Sequence, residues 1–483
     1  MIRHRLTALL GVAALGALAA CSTAPEPPAD PARPPITSWE PCADDDAAVQ
    51  CAGVTVPVDR ADPDGPAIDL AVVRMPAADP DQRRGTLVLH VGGPAPARQV
   101  LLDPRHRAGV AELRQWFDVV TFDSRGYGAS AGTCDPDLAP PIAVLDSPEA
   151  FAEHREHQAR YAESCRAGHP ELVEHVSAAD VADDVDDIRA ALGEDRIAFF
   201  GNSYGTVFGQ AYAQRYGDRL TALYLDSVVD HSAPAERDRI DRAVAGDALL
   251  DRFAARCAED PECAPGEDPL QLWDDVVARA PLPVEGGPAL RADEIRMAAP
   301  SMAETDPRGY AAALLAARNG DAGPLAAPMR HAPAGGGMDA GQLTNCADFP
   351  LPDDYAALVA GRTGPAELAP RTGPAPALED WRCGGWPLPG TNPPGPLDAP
   401  DAPPALVVNS TLDPTTHLAG AHRVAEALGP GAVLAVHGFT HAVYLGQPDN
   451  RCVRDAVHRY LLDGELPATG ASCASEQTQW ARP

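Results

Sequence analysis

The sequence predicts an α/β fold in which a mostly parallel sheet is covered by helices and interrupted by an inserted, mainly helical cap. Three observations carry that expectation. Short apolar runs alternate with helical stretches through the first half of the chain, as in sheets built from strand-helix-strand units. The alternation lapses between about residues 231 and 400 and then returns. Finally, Gly201-Asn202-Ser203-Tyr204-Gly205 stands between an apolar run and a helical segment, the order strand, sharp turn, helix that lifts a serine hydroxyl clear of the backbone.

The chain opens with Arg3-His4-Arg5 and an apolar stretch from Leu6 to Ala20. Residues 1–20 read as a secretory signal, too short for a membrane span. Leu18-Ala19-Ala20-Cys21 resembles a bacterial lipobox, which makes Cys21 a lipidated mature N-terminus that anchors the protein outside the cytoplasmic membrane. The alternative is an ordinary cleaved signal with a stray cysteine, leaving the protein secreted. Residues 21–36 are rich in proline, alanine and acid, a tether unable to bury a face. The remainder divides into a first core segment at 37–230, a cap insertion at 231–400 and a second core segment at 401–483.

Strands are expected at Ile68–Val73, Thr86–Val91, Phe117–Phe122, Ile197–Phe200 and Leu220–Leu225, then at Ala405–Val408 and Ala432–Val436. The clearest helix carries Val181, Val185, Ile188 and Leu192 on one stripe. Ser177 and Asp180 start it as a capping box, and Gly193 stops it. Its many aspartates are expected to face water. A further helix should follow the serine, from Thr206 to Tyr216, another should start near Thr416, and an amphipathic one should span Cys452–Leu462. In the cap, Asp247–Cys257 and Tyr310–Ala317 read as helices among stretches rich in proline and glycine, such as 333–337 and 389–396.

Net charge is −31, and no basic cluster could neutralise phosphates, so a nucleic-acid partner is excluded. Eleven cysteines less Cys21 leave ten, an even number that fits a disulfide framework in an exported protein. Sequence neighbours suggest Cys42–Cys51, Cys134–Cys165, Cys257–Cys263, Cys346–Cys383 and Cys452–Cys473, although spacing alone does not dictate connectivity. A zinc site would need Cys-x-x-Cys or His-Glu-x-x-His spacing, which the chain lacks, and nothing in it calls for a cofactor.

The chemistry is expected around Ser203. A serine hydroxyl becomes a useful nucleophile when a histidine takes its proton and a carboxylate fixes that histidine's tautomer. On this fold the acid and then the histidine follow the serine, each on a loop after a late strand. Asp413, just past the resumed strand, fits the acid, with a plain turn aspartate as the bland alternative. Asp226, at a strand end, is the second candidate. His437 and His441 both follow the last strand, and His441 is favoured because it lies deeper in the loop. Oxyanion donors are expected from the Tyr204 N–H and from Gly93, in the Gly92-Gly93-Pro94 turn after an early strand. A second Gly-x-Ser-x-Gly, Gly128 to Gly132, lacks the strand and helix on either side, so Ser130 reads as a loop residue.

Taken together, the chain resembles the α/β-hydrolase peptidases of the prolyl aminopeptidase class, and most closely the secreted bacterial tripeptidyl aminopeptidases with their C-terminal extension. The resemblance runs from Trp39-Glu40-Pro41-Cys42 and Cys51–Asp59 through Gly92-Gly93-Pro94, Asp123-Ser124-Arg125-Gly126 and Gly201–Thr206. It resumes at Trp381–Pro387 and Leu412-Asp413-Pro414-Thr415-Thr416, and closes with His441 and Tyr460–Cys473. It implies Ser203 as nucleophile, Asp413 as orienting acid, His441 as base, and a peptide substrate with a free N-terminus recognised by cap carboxylates. One departure stands out: the family continues Gly-Gly-Pro with glycine and small residues, whereas this chain has Ala95-Pro96-Ala97-Arg98, which puts the shape of the oxyanion loop in question. An esterase or lipase with the same triad, and a non-catalytic envelope lipoprotein on the same scaffold, are the competing expectations.

Overall fold

The structure, a computed structural model, describes residues 36, 38–43, 48–130, 134–139, 145–330, 338–375, 378–413 and 415–475. The signal, Cys21 and the tether up to residue 35 lie outside the described residues, as does the 333–337 stretch.

Ten strands form one sheet: β1 (Glu40–Pro41), β2 (Gln50–Pro57), β3 (Ala67–Met75), β4 (Gly85–His90), β5 (Phe117–Phe122), β6 (Ile197–Asn202), β7 (Leu220–Asp226), and then, past a small hairpin of β8 (Leu282–Val284) and β9 (Gly287–Leu290), β10 (Leu406–Ser410), β11 (Ala432–His437) and β12 (Ser472–Ala474). Their order is β1-β2-β3-β5-β4-β6-β7-β10-β11-β12. The pairings from β1 through β3 to β5 are antiparallel; all the others in this sheet are parallel. The expected strands all form. The parallel ones read as unbroken apolar runs because both faces are covered: along β6, Phe199 packs into one cluster and Ala198 and Phe200 into the other.

The helices that matter for the site are α1 (Pro148–Gly168), α2 (Ala178–Ala191), α3 (Gly205–Tyr216), α4 (Ala235–Ala258), α5 (Met338–Asp348), α6 (Leu378–Cys383), α7 (Leu418–Ala427), α8 (Val443–Gly446) and α9 (Arg451–Asp463). Helix α2 has the expected capping box between Ser177 and Asp180, and Gly193 follows it at φ 71°. Helix α7 starts two residues later than expected, with His417 as its N-cap, because the Asp413 carboxylate takes the Thr415 and Thr416 N–H groups and holds them in a turn. The described residues of the 231–400 segment are mainly helical but include the β8–β9 hairpin. Leu250, Phe253, Trp273 and Tyr310 there form an apolar cluster of their own. All five disulfides join the cysteines that are sequence neighbours.

The aspartates of α2 do not face water. Asp183, Asp184, Asp186 and Asp187 are all buried, and each meets an arginine from a distant segment. Arg215 takes Asp183 at 2.7 Å, Arg125 and Arg60 both reach Asp184 at 2.6 Å, Arg219 pairs with Asp186 beside Arg189 of the same helix, which reaches it at 2.8 Å, and Arg60 also pairs with Asp187. A helical stripe rich in acid looks solvated until the partners arrive from elsewhere in the fold. Arg125 is the extreme case: its side chain has no exposure, and it also donates to the carbonyls of Val58, His175 and Pro57.

Removing one member of a fully buried pair leaves the other uncompensated. Asp184→Asn should therefore cost about 3–5 kcal/mol, read as a lower urea midpoint at an unchanged slope. A loss below about 1 kcal/mol, the range of an exposed pair, would show that the site tolerates a lone guanidinium.

Candidate functional site

Strand β6 ends at Asn202, and Ser203 sits at φ 52°, the left-handed region that a non-glycine residue enters at a cost. Three hydrogen bonds hold it there. Its N–H donates to the Asp226 carbonyl at 3.0 Å, and its carbonyl accepts from the Thr206 N–H at 2.9 Å and the Thr206 hydroxyl at 2.6 Å. The glycines of the motif are required by close approach. A Cβ on Gly201 would lie on the Gly205 carbonyl oxygen, and one on Gly205 would lie on the His90 carbonyl oxygen. Helix α3 thus leaves the elbow pressed directly against β4.

Ser130, the other serine in a Gly-x-Ser-x-Gly pattern, is buried in a turn. Its hydroxyl donates to the Asp123 carbonyl at 2.7 Å and accepts the Ala71 N–H at 2.8 Å. It stitches the end of β5 to the middle of β3.

The acid and the histidine meet. His441 Nδ1 lies 2.8 Å from Asp413 Oδ2, with the carboxylate 1 % and the imidazole 35 % exposed. The same carboxylate takes the Thr416 hydroxyl at 2.6 Å and the Thr415 and Thr416 N–H groups at 2.9 and 3.1 Å. Asp413 is therefore both the turn aspartate and the partner of His441. A carboxylate at Nδ1 assigns the proton to that nitrogen and leaves Nε2 free to accept one. Burial pulls the His441 pKa down, but the hydrogen bond and charge of Asp413 outweigh it, and the net shift is upward. Burial likewise pushes Asp413 up, and the His441 and threonine donors outweigh it, so its carboxyl sits below the usual range. His437 is the exposed last residue of β11, and its carbonyl pairs with the Ser475 N–H.

Asp226, the second candidate acid, does different work. Its carboxylate takes the N–H groups of Val443 at 2.8 Å and Tyr444 at 2.7 Å, the Tyr224 hydroxyl at 2.8 Å and the Ser227 hydroxyl at 3.0 Å. Ser227 Oγ accepts the Ala442 N–H at 2.9 Å. The chain just after His441 is thereby pinned to Asp226, whose backbone carbonyl holds Ser203, and to its neighbour Ser227. Burial raises the Asp226 pKa against those donors, and its charge adds to the rise at His441. No hydrogen bond joins Ser203 to His441 among the described residues; such bonds in unliganded sites often tighten only when substrate arrives.

The glycine loop after β4 packs on the elbow: a Cβ on Gly92 would meet the Tyr204 and Gly205 nitrogens. The Gly92 N–H donates to His90 Nδ1 at 3.1 Å, and His90 Nε2 meets the Ser124 hydroxyl at 2.9 Å. Burial takes the His90 pKa down to about 3, so the ring is neutral. Gly93 is exposed, and no backbone or side-chain acceptor takes its N–H or that of Tyr204 among the described residues. Positive φ falls on Gly92 and Gly93 and not on Ala95, so the Ala95-Pro96-Ala97 departure asks no forbidden conformation of alanine. Asp123 ties that loop down, accepting the Arg98 N–H at 3.1 Å and Arg98 Nε at 2.8 Å.

Sequence reasoning missed Thr206 and Thr416, whose hydroxyls hold Ser203 and Asp413, and read Asp226 only as a spare acid. Among the described residues, no cluster of histidine, cysteine and carboxylate side chains is arranged to hold a metal ion, and no helix is long and apolar enough to cross a membrane.

Residues 85–276 match the family described as alpha/beta hydrolase fold, and residues 369–473 match the family described as TAP-like protein. The chain is 33% identical over 504 residues to a Mycobacterium tuberculosis protein named carboxylesterase B, covering 92% of each. It is 29% identical over 498 residues to serine protease Hip1 of the same species, again covering 92% of each. With a tripeptidyl aminopeptidase of Streptomyces lividans it shares 29% identity over 481 residues, 91% of this chain and 87% of the other. The chain belongs to the α/β-hydrolase family, among its TAP-like serine hydrolases.

Proposed function

We propose that this protein is an exported serine exopeptidase that releases short peptides, such as tripeptides, or single residues from free N-termini. The observation that carries the reading is the 2.8 Å His441–Asp413 pair, set on a loop that Asp226 and Ser227 bind to the Ser203 elbow. In this reading His441 Nε2 takes the Ser203 proton as Oγ attacks the scissile carbonyl. The N–H groups of Tyr204 and Gly93 receive the developing oxyanion. His441 then gives the proton to the leaving amine, and water, activated in the same way, releases the acyl group from Ser203. Asp413 stabilises the imidazolium formed in each half.

The relatives named for peptidase activity support the peptide substrate, and the five disulfides support an oxidising compartment outside the cytoplasm. Residues 1–20 and Cys21 supply the export signal and lipid anchor of this reading. The relative named carboxylesterase B favours a second reading, ester hydrolysis by the same residues.

Ser203→Ala should abolish labelling by a fluorophosphonate probe and lower turnover by at least ~10⁴-fold; labelling that survives makes Ser203 a bystander. Free-amine tripeptidyl, free-amine prolyl, N-blocked peptidyl and p-nitrophenyl ester substrates, assayed together, divide the readings. Turnover of the free-amine peptides alone marks an aminopeptidase. Turnover of the esters alone, or peptide cleavage indifferent to N-blocking, marks an esterase or an endopeptidase, and no turnover at all marks a binding protein.

The pH dependence has a definite sign. The base must be neutral, so kcat/KM should rise as pH increases through the His441 pKa, which lies above its ordinary value near 6.5. Stability should run the other way. A histidine whose folded pKa is raised stabilises the fold fully below its unfolded pKa, and that contribution fades as pH climbs through the folded one. The stability gap between wild type and His441→Ala, read by urea denaturation, should therefore narrow over the window in which wild-type activity appears.

A further inference from the structure

Tyr204 is fixed at both ends. Its backbone closes the elbow, and its ring is buried edge-on to Phe208 at 5.5 Å and Phe349 at 6.1 Å. Its hydroxyl donates to Asp348 Oδ2 at 2.7 Å. Asp348 is the last residue of α5, in the inserted segment, and has no exposure. Its other oxygen takes the Ala178 N–H, at the start of α2, at 2.9 Å and the Asn392 amide at 2.7 Å. Its backbone carbonyl takes His231 Nε2 at 3.1 Å. The Ala178, Asn392 and Tyr204 donors to the carboxylate are all neutral, and the one charged group that favours its ionised form is the nearby His231. The same helix also touches the glycine loop: a Cβ on Gly341 would lie 3.0 Å from the Pro94 carbonyl oxygen. One helix thus meets both sources of the oxyanion donors.

The elbow needs such a hold. Ser203 is strained at φ 52°, and rotation of the Ser203–Tyr204 peptide is the direct way to relax it. That rotation turns the Tyr204 N–H away from the oxyanion. We propose that Asp348 is the positioning residue of the oxyanion site, holding the Tyr204 hydroxyl so that the strained peptide keeps its N–H aimed at the reacting carbonyl. The inference rests on the reading of Tyr204 as an oxyanion donor.

Ionisation supports the role. Burial raises the Asp348 carboxyl to about 6 against its donors. The titratable and charged groups facing the Asp348–Tyr204 pair are His231 on the loop after β7, Tyr127 in the turn after β5 and Arg382 on α6. A proton added to Asp348 lands among N–H and O–H donors and must displace one of them. Activity should then fall on the acid side through two groups, His441 and Asp348.

Tyr204→Phe keeps the ring and removes only the hydroxyl, so it tests the bond even if Asp348→Asn fails to fold. With p-nitrophenyl acetate, Tyr204→Phe and Asp348→Asn should each lower kcat by ~10–100-fold with KM within ~2-fold, the mark of donors displaced in the transition state. The double variant should lose no more than the worse single, because both remove one bond. The acid limb of log kcat should steepen toward a slope of ~2 in wild type and return to ~1 in each variant. If kcat is unchanged in Tyr204→Phe, if the two losses multiply, or if only KM moves, the inference is overturned. Hydrolysis that persists in Ser203→Ala overturns the site itself, whereas Ser203-dependent hydrolysis indifferent to Tyr204→Phe overturns only the role of Asp348.

Discussion

The Asp226 carboxylate, buried at the end of β7, takes four donors, two of them the N–H groups of Val443 and Tyr444 at the start of α8. Its carbonyl takes the Ser203 N–H and, at 3.3 Å, the Asn202 amide. One residue therefore holds the serine elbow with its backbone and the histidine loop with its side chain. Among the described residues, the three non-glycine residues at positive φ, Ser203, Ser227 and Ala442, all lie within this knot. Strained backbone persists only where its surroundings over-determine it, and here each strained residue is either bonded to Asp226 or adjacent to a residue that is. An asparagine in its place would turn an amide N–H₂ toward donors, so the negative charge is itself part of the fit. That charge also raises the pKa of the histidine it positions.

The fold was legible where period and punctuation agree. The strand runs at β4 to β7 and the capping box at Ser177 and Asp180 depend on neighbours in sequence, and they form as expected. Disulfide pairing was legible for the same reason, since each bond closes a short or modest loop. The burial of Asp183, Asp184, Asp186 and Asp187 was not, because their partners Arg60, Arg125, Arg215 and Arg219 come from other elements. Charge on a helix predicts solvent only when no opposite charge is delivered by the tertiary fold.

The site divides in the same way. Chain order placed Asp413 and His441, and strand ends placed Ser203. The residues that hold those groups gave weaker signals. Thr206 and Thr416 each stand three residues past the group they secure, a spacing that serves as well for any turn or helix start. Asp226 stood where an acid could serve catalysis, and only the positions of Val443 and Tyr444 show that its oxygens are already taken. Asp348 is separated from Tyr204 by most of the inserted segment, so no local pattern could relate them.

That insertion also has two physical parts. Phe253, Trp273 and Tyr310 pack among themselves, whereas Leu343 of α5 and Leu388 and Leu397 beyond α6 join the core under the sheet. The Cys346–Cys383 bond fastens α5 to α6, and Gln342 donates to the Arg382 carbonyl at 2.6 Å and also bonds Gln158 of α1. Helix α5 is built into the core that carries the sheet rather than laid over it. The outer part holds its own core, and among the described residues none of that cluster bonds Ser203 or Tyr204. Differences in what related chains cleave are then expected to come from the outer part, and differences in how fast they cleave it from α5 and the glycine loop it touches.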